Sequence, residues 1–405
     1  MKKVIEINAV ETGSTGRIMI GIASVARTRG FQVYTFSGER KDSADVLPYG
    51  HTRICKWFDF YFHSYIGCFL GLNEKLSTIP TIRLVNRIKE INPDIVHLHI
   101  IHGFYLNIKI LFSFLKRMRI PVVWTFHDCW AFTGRCPHFV LSKCEKWRNG
   151  CNHCVYSWKQ YPASFWDISA KTWRRKKKLF CGIDNLTIIT PSMWLKEITE
   201  KSFLGNCSIR VINNGINTDL FFKTYRDSKN RLKDGNKKRV LGVANSWGYR
   251  KGLDVFIELS KQLDENYIIM LVGTNLDIDR ILPSRIVSIH HTNNQEELAE
   301  LYCSADVFVN PTREDNFPTV NIEALACGTP VLTFNTGGSP EIIDETCGSI
   351  IPVDDVGLLV KEIIRVCETE PYSSVACINR AKKYDQNERF LQYVELYEEI
   401  IRNYC

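Results

Sequence analysis

The chain has little that would tie it to a membrane interior, a secretory route or a common nucleotide-binding loop. No run among its 405 residues approaches the roughly 20 consecutive apolar positions needed to cross a bilayer. The most apolar window, Phe58 to Leu72, is too short and contains Asp59 and His63. The N-terminus, MKKVIEINAVETG, turns polar by Asn8, too soon for a signal-peptide core. These absences predict a cytoplasmic protein. Charge of neither sign dominates, because the net charge is only +8. That balance fits weak attraction to an anionic surface or an acidic substrate, and no nucleic-acid partner is expected. No solenoid repeat or low-complexity tract is present. Cysteine, by contrast, is plentiful at fifteen, an odd count scattered through apolar segments (Cys303, Cys327, Cys367). That pattern predicts reduced thiols and excludes a secreted disulfide framework.

A chain of this length is expected to form two domains. In the first half short apolar strands alternate with amphipathic helices. The expected strands are Val4–Ile7, Gln32–Phe36, Ile95–Leu98, Val122–Phe126, Thr187–Ile189 and Arg210–Ile212. The helices between them include Ile18–Arg27 and Thr81–Ile91, the latter stopped by Asn92-Pro93. After the charged stretch Tyr225–Lys238 the alternation restarts, with strands Val240–Val243, Ile268–Val272, Val287–Ile289, Val307–Val309 and Val331–Thr333. A capping box, Asn294-x-x-Glu297, opens a helix near Gln295. The last segment, Asn387 to Ile401, reads as an amphipathic helix with Phe390, Tyr393, Val394, Tyr397 and Ile401 on one face. Strands alternating with helices predict parallel sheets, and the polar interruption predicts two of them. The expected fold is α/β: two doubly wound domains whose strand carboxyl ends face one cleft.

The most informative stretch is Asn310 to Val331, NPTREDNFPTVNIEALACGTPV. It reads as a strand end, a loop with acids, a helix, and a Gly-Thr-Pro stop into another strand. Asp315 sits in the loop and Glu323 early in the helix. Carboxylates there suit hydroxyl-rich neighbours of a phosphate, since each accepts two hydrogen bonds from a sugar diol. In the same half, Arg250-Lys251-Gly252 opens a helix, where two cations can neutralise a diphosphate or form a solvated basic turn. Gly337-Gly338-Ser339-Pro340-Glu341 is another glycine-rich turn at a helix start.

In the first half, Glu11-Thr12-Gly13-Ser14-Thr15-Gly16-Arg17 is either a ligand-approaching βα turn or a plain tight turn. It matches neither the dinucleotide fingerprint nor a Walker A loop. His127-Asp128 directly follows a strand, with Trp124 and Trp130 placed to pack a sugar face; local hydrogen bonding and turn capping are the simpler alternative. Cys136, Cys144, Cys151 and Cys154 fall within nineteen residues and are a candidate structural zinc site, with His138 and His153 as alternative ligands. The second Cys-x-x-Cys of a zinc ribbon is missing, and packed thiols are the competing reading. Arg174-Arg175-Lys176-Lys177-Lys178 reads as a solvated helix face that also suits anionic lipid headgroups. The aromatic segment Trp57–Phe69 is either core or an interfacial helix.

Taken in order, several segments resemble the retaining GT-B glycosyltransferases of family 4, in the bacterial capsule, exopolysaccharide and O-antigen branch. They are the Gly-Ser-Thr-Gly turn, HLHIIHGFYLN (His97–Asn107), TFHDCWAFTGRC, TPSMWL, VINNGINTDLF, RKGLD, and EDNFPTVNIEALACGTPV followed by TGGSPEII. The resemblance implies an acceptor-side Rossmann-like domain over 1–222, a nucleotide-sugar domain over 223–384, and a helix over 385–405 crossing back to the first. It implies sugar transfer from a nucleoside-diphosphate sugar to a lipid-linked or oligosaccharide acceptor at the cytoplasmic membrane face, with retention and no catalytic metal or other cofactor. Glu323 would hold the ribose hydroxyls. Asp315, Asn316 and Phe317 would hold the transferred sugar, with Pro318, Thr319, Gly337 and Gly338 lining the donor site. Lys251 and Arg250 would neutralise the diphosphate. Gly16 would approach the phosphate or acceptor, and His127 the donor sugar. Gly13, Ser14, Thr15, His102 and Asp128 fall on the acceptor side. The chain departs from the family pattern at Asp315, where Glu is usual, with Glu314 adjacent. It also has Asn245-Ser246-Trp247 where an Arg often precedes the Lys. The rival functions are a nucleotide-sugar epimerase of the same fold and a nucleotide-sugar-binding protein with weak turnover.

Overall fold

The apolar strands pair in parallel into two sheets in a computed structural model that describes residues 1–38, 50–55, 57–70, 75–156, 165–228 and 237–404. The first sheet contains β1 (Lys3–Asn8), β2 (Gln32–Ser37), β3 (His51–Arg53), β4 (Ile95–Leu98), β5 (Val122–Thr125), β6 (Leu186–Thr190) and β7 (Ser208–Val211). The second contains β8 (Lys238–Val243), β9 (Tyr267–Val272), β10 (Ile286–Ile289), β11 (Val307–Asn310), β12 (Val331–Phe334) and β13 (Gly348–Ile351). Their orders are β3-β2-β1-β4-β5-β6-β7 and β10-β9-β8-β11-β12-β13. Each order reverses once, at β1/β4 and at β8/β11. Loops leaving the carboxyl ends of those strands are where doubly wound sheets hold ligands.

Central strands such as β4, β5, β11 and β12 are buried at every residue. That is why they read as continuous apolar runs and not as alternating ones. The two strands that sequence reading missed, β3 and β13, are sheet edges. β3 is three residues with no aliphatic side chain and β13 opens on Gly348, so neither carries an apolar run. Half of the capping box is realised: Asn294 accepts from the Glu297 N–H at 2.8 Å, while the Glu297 carboxylate reaches one residue further back, to the Asn293 N–H at 2.7 Å.

The chain divides into one unit of Met1–Asn213 with Arg389–Cys405, and another of Asn214–Glu388. The first division falls before the helix Thr218–Ser228 and not at residue 222, because Phe221 on that helix is buried in the second unit's core beside Tyr302. Of the charged stretch Tyr225–Lys238, residues 229–236 lie outside the described residues. The helix Gln386–Tyr404 returns the chain to the first unit. Its expected face, Phe390, Tyr393, Val394, Tyr397 and Ile401, is buried against Val4, Ile22, Val33, Ile95 and Val123. Each such burial contributes about 1.5–3 kcal/mol before entropy is counted, so this helix is part of the first core. No helix among the described residues is long and apolar enough to cross a membrane.

Candidate functional site

In the second unit, the loops after β8, β11 and β12 are drawn into one cluster by close backbone contact. Gly252 follows the short 3-10 turn Tyr249–Lys251 at φ +76°, and a Cβ there would lie 2.5 Å from the Pro311 carbonyl oxygen. Gly337 has φ +55°, and its Cβ would lie 1.7 Å from the Asp315 carbonyl oxygen. Both positions therefore require glycine for two reasons, backbone conformation and space. Gly338 adds an N–H donated to that same carbonyl at 3.3 Å.

The closure brings predicted site residues together. Lys251 Nζ lies 2.6 Å from Asp315 Oδ2, with the two side chains 19% and 21% exposed. Arg250 donates to the Glu314 carbonyl at 3.1 Å, and Arg313 N–H donates to the Arg250 carbonyl at 2.9 Å. Of the two acids where the chain departs from the family pattern, Glu314 is 2% exposed, while the Asp315 side chain is 21% exposed. Asp315 also accepts from the Phe317 N–H at 3.3 Å. The Phe317 ring itself is core, packed against Tyr384.

The helix Thr319–Ala326 follows, with Pro318 as its N-cap and no side chain closing its first turn. An uncapped helix start beside a lysine can accept an anion. Glu323, 7% exposed on this helix, takes a hydrogen bond from the Tyr302 hydroxyl at 3.0 Å. Burial first, and then the Glu323 charge, push the Tyr302 hydroxyl well above its ordinary pKa, so it stays a donor.

Sequence reading missed the clamp beneath this cluster. Arg313 is 5% exposed and donates in pair to Asp254 at 2.8 and 2.7 Å and to Asp354 at 2.7 Å. It also stacks over the Tyr249 ring at 3.9 Å. One guanidinium therefore ties the loop after β11 to those after β8 and β13. The only local signal was a lone arginine inside a stretch that is otherwise buried.

In the first unit the predicted residues fall into a different environment. Gly13 opens the helix Gly13–Thr28, and Gly16 lies inside its first turn. A Cβ on Gly16 would meet the Glu11 carbonyl carbon at 2.4 Å, so its need for glycine is met by packing on the turn itself. Thr15 accepts from Asn8 at 3.3 Å, beside the half-buried Ser14. His102 and Asp128 pair at 2.8 Å, and Asp128 also caps the turn by accepting from Trp130 N–H at 2.8 Å. Burial raises the Asp128 carboxyl pKa, yet the His102 charge and hydrogen bond, His138 and the Trp130 N–H together hold it below the usual range. His127 meets His99 at 3.1 Å between ring nitrogens, and burial lowers its pKa to about 4 against the raising effect of Asp128. At neutral pH it is an uncharged imidazole.

Three expectations are corrected here. Trp124 and Trp130 do not present a sugar-packing face: both are buried, Trp124 among Phe112, Phe126 and Phe180. The basic run is not wholly solvated. Lys176 is fully buried, donating to the Trp130 and Thr133 carbonyls at 2.8 and 3.2 Å, with its ammonium 3.4 Å from the Trp130 ring centroid. It holds the loop that follows His127, while Arg174, Lys177 and Lys178 are exposed. A zinc site in the cysteine loop is also unsupported. The described cysteines form no disulfide, and burial, then neighbouring thiols, raises Cys136 to about 12. Among the described residues the only His, Cys, Asp or Glu trio with ligand atoms all within 4.8 Å is Glu6, His97 and His99. Zinc-bound sulfurs stand about 3.8 Å apart, so no three of the thiols are gathered as a metal would need.

Two family models match the chain, one largely within each unit. The model described as "Glycosyl transferases group 1" matches residues 225–384, and that described as "Glycosyltransferase Family 4" matches residues 15–220. A putative colanic acid biosynthesis glycosyl transferase of Escherichia coli is 24% identical over 326 residues, covering 76% of this chain and 77% of that protein. An N,N'-diacetylbacillosaminyl-diphospho-undecaprenol alpha-1,3-N-acetylgalactosaminyltransferase of Campylobacter jejuni is 25% identical over 210 residues, covering 49% of this chain and 55% of that protein. Among solved structures, HepE from Anabaena in complex with UDP and glucose superposes with a TM-score of 0.67 at 15% identity, over 98% of this chain and 100% of that one. The architecture is that of GT-B glycosyltransferases. Because the second of those two family models spans half the sequence, from the first helix through the start of the helix Thr218–Ser228, the chain belongs to Glycosyltransferase Family 4.

Proposed function

We propose that the chain moves a sugar, with retention, from a nucleoside-diphosphate sugar to a lipid-linked glycan acceptor in bacterial surface polysaccharide assembly. The observation that carries the reading is the Lys251–Asp315 pair at the β8/β11 reversal, partly exposed and seated beside an uncapped helix start. In this reading Glu323 accepts from the ribose hydroxyls. Asp315 and Asn316 take the transferred sugar, and Lys251, Arg250 and the turn at Gly337 and Gly338 take the diphosphate. His102, Asp128 and the turn Gly13-Ser14-Thr15 serve the acceptor in the first unit.

The anomeric carbon–oxygen bond to the diphosphate breaks and a bond to the acceptor oxygen forms on the same face. The acceptor proton passes to the departing phosphate oxygen. The protein's contribution is positioning and neutralisation of the developing charge, and no step is assigned to a metal. The Campylobacter relative, whose name includes a diphospho-undecaprenol, supports a lipid-linked acceptor. An exposed aromatic set on the helix Trp57–Leu70, Tyr61, Phe62, Tyr65 and Phe69, supports contact with a membrane surface.

The test is product analysis with UDP-sugars and lipid-diphosphate acceptors. A glycosylated acceptor with the donor's anomeric configuration is expected. An epimerised donor formed without acceptor would overturn the reading, and an inverted product would remove retention from it.

A further inference from the structure

The strand β11 ends on Asn310, and Asn321 is the third residue of the helix Thr319–Ala326. Both side chains are buried, at 5% and 0% exposure. Asn310 Nδ2 donates to Asn321 Oδ1 at 2.7 Å, so the end of the strand is tied directly to the first turn of the helix. Asn310 is itself anchored from the next strand, because its carbonyl accepts from Thr333 Oγ1 on β12 at 3.0 Å. The loop that carries Asp315 therefore hangs between two fixed ends.

This bond is a poor choice for stability alone. Asn321 Nδ2 is buried and has no hydrogen-bond partner among the described residues. A buried donor left unpaired costs stability, and two apolar side chains of the same shape would fill the space without that cost. What the amide bond adds is direction. The usual Ser, Thr, Asp or Asn cap fixes a helix start by consuming its free N–H groups. Here Pro318 occupies the cap position and no side chain closes the first turn, which is fixed instead from the strand through its third residue. The Asn321 N–H is satisfied by the Pro318 carbonyl at 3.1 Å. The N–H groups of Thr319 and Val320, which precede the first intrahelical bond, stay available.

We infer that Asn310 and Asn321 are positioning residues: they hold an uncapped helix start against the end of β11 so that its N–H groups meet a diphosphate. This rests on the reading above that the loops after β8, β11 and β12 take the donor's diphosphate. The group recognised is an oxyanion, because backbone N–H groups and the positive end of the helix dipole favour negative charge. Lys251, paired with Asp315 at 2.6 Å, brings a second positive charge to the same loop. Asn321 lies about 200° around the helix from Glu323, so the tie to the strand and the carboxylate assigned to the ribose use different faces. Neither asparagine touches the ligand.

Thermal unfolding and ligand titration of Asn310→Leu, Asn321→Leu and the double variant separate placement from stability. Each single change leaves the other amide unpaired in the interior and should lower Tm by about 4 °C. The double variant should recover most of that loss. Its affinity should nevertheless stay about tenfold weaker than the parent's, with UDP, GDP and inorganic pyrophosphate as the calorimetric probes. A double variant that binds as tightly as the parent would overturn the inference. So would one no more stable than the single variants, since the pair would then be a stabilising bond and nothing more. If the parent itself bound none of the three probes, the reading of the donor site would fail and carry this inference with it.

Discussion

At the carboxyl end of the second sheet, charged groups meet opposite charges near solvent; on β1, on β4 and just after β4 in the first sheet, a glutamate and two histidines are sunk, with the aromatic rings of Tyr393 and Tyr397 beside them. Lys251 and Asp315 are each about one-fifth exposed, and the aspartates that hold Arg313 are about half exposed. Glu6, His97 and His99 have no more than 1% exposure. The first arrangement sets each cation against a partly exposed carboxylate. The second suppresses ionisation, so its groups act through the direction of their hydrogen bonds.

The largest effect that would break this contrast is loss of the Arg313 clamp. Arg313→Leu should cost about 3 kcal/mol of stability, the low end for a broken buried ion pair, because Asp254 and Asp354 can turn to water. Thermal and denaturant unfolding would read it. A change below about 0.5 kcal/mol would mean that glycine packing alone holds the loops.

Next comes Lys251. Lys251→Ala should lower kcat about 10²-fold if the ammonium neutralises charge that develops as the diphosphate leaves. Single-turnover kinetics at saturating donor would measure this. A change confined to KM would reduce Lys251 to a binding group and blur the division drawn above.

Acid sensitivity tests the other side. The unfolded chain protonates its histidines near pH 6.5, whereas burial, then His127's charge, lowers His97 to about 3; burial lowers His127 to about 4, and holds His99 well below its usual value. Depressed histidine pKa values give stability that is present above pH 6.5 and lost as pH falls toward the folded values. Glu6 has the opposite sign: its raised pKa favours the fold below about 4.5 and loses that contribution as pH rises. Between pH 6.5 and 4.5, three imidazoles outweigh one carboxyl, so stability should fall as pH falls. In Glu6→Gln the slope should steepen, and the variant should gain on the parent as pH rises above 4.5. Unfolding free energies across that range would show it, and a flat profile would mean that the histidines are not held neutral.

Much of this fold was legible because fully buried parallel strands leave continuous apolar runs in the sequence, and the return helix leaves a helical stripe. Local patterns also marked Lys251, Asp315 and Glu323, since each sits at a loop–helix junction. What was not legible is what depends on distance along the chain. Arg313 reaches acids 59 and 41 positions away. His97 meets Tyr397 across 300 positions. Glu6 did leave a signal, a carboxylate in the otherwise apolar run VIEIN, but its partners did not. Burial of Lys176 inside a basic run, and of Trp124 beside a polar loop, was decided by neighbours that no spacing rule reveals.

The smallest predicted effect lies at Glu323, where the two styles of site meet, because a buried carboxylate on the second unit is steadied by a buried hydroxyl. Tyr302 donates to Oε2, and the proposed function assigns the ribose hydroxyls to the same carboxylate. Glu323→Gln preserves shape and leaves an oxygen for Tyr302, but turns an N–H₂ toward the diol. One acceptor becomes a donor, at a cost of about 1 kcal/mol. Because ribose hydroxyls are held alike before and during transfer, the loss should raise donor KM about fivefold and leave kcat nearly unchanged. Tyr302→Phe should do less, since the carboxylate keeps its acceptors and loses only its steadying donor. Equal donor KM in Glu323→Gln and the parent would detach the ribose from Glu323, leaving the partly exposed Lys251–Asp315 pair as the sole basis for the donor assignment.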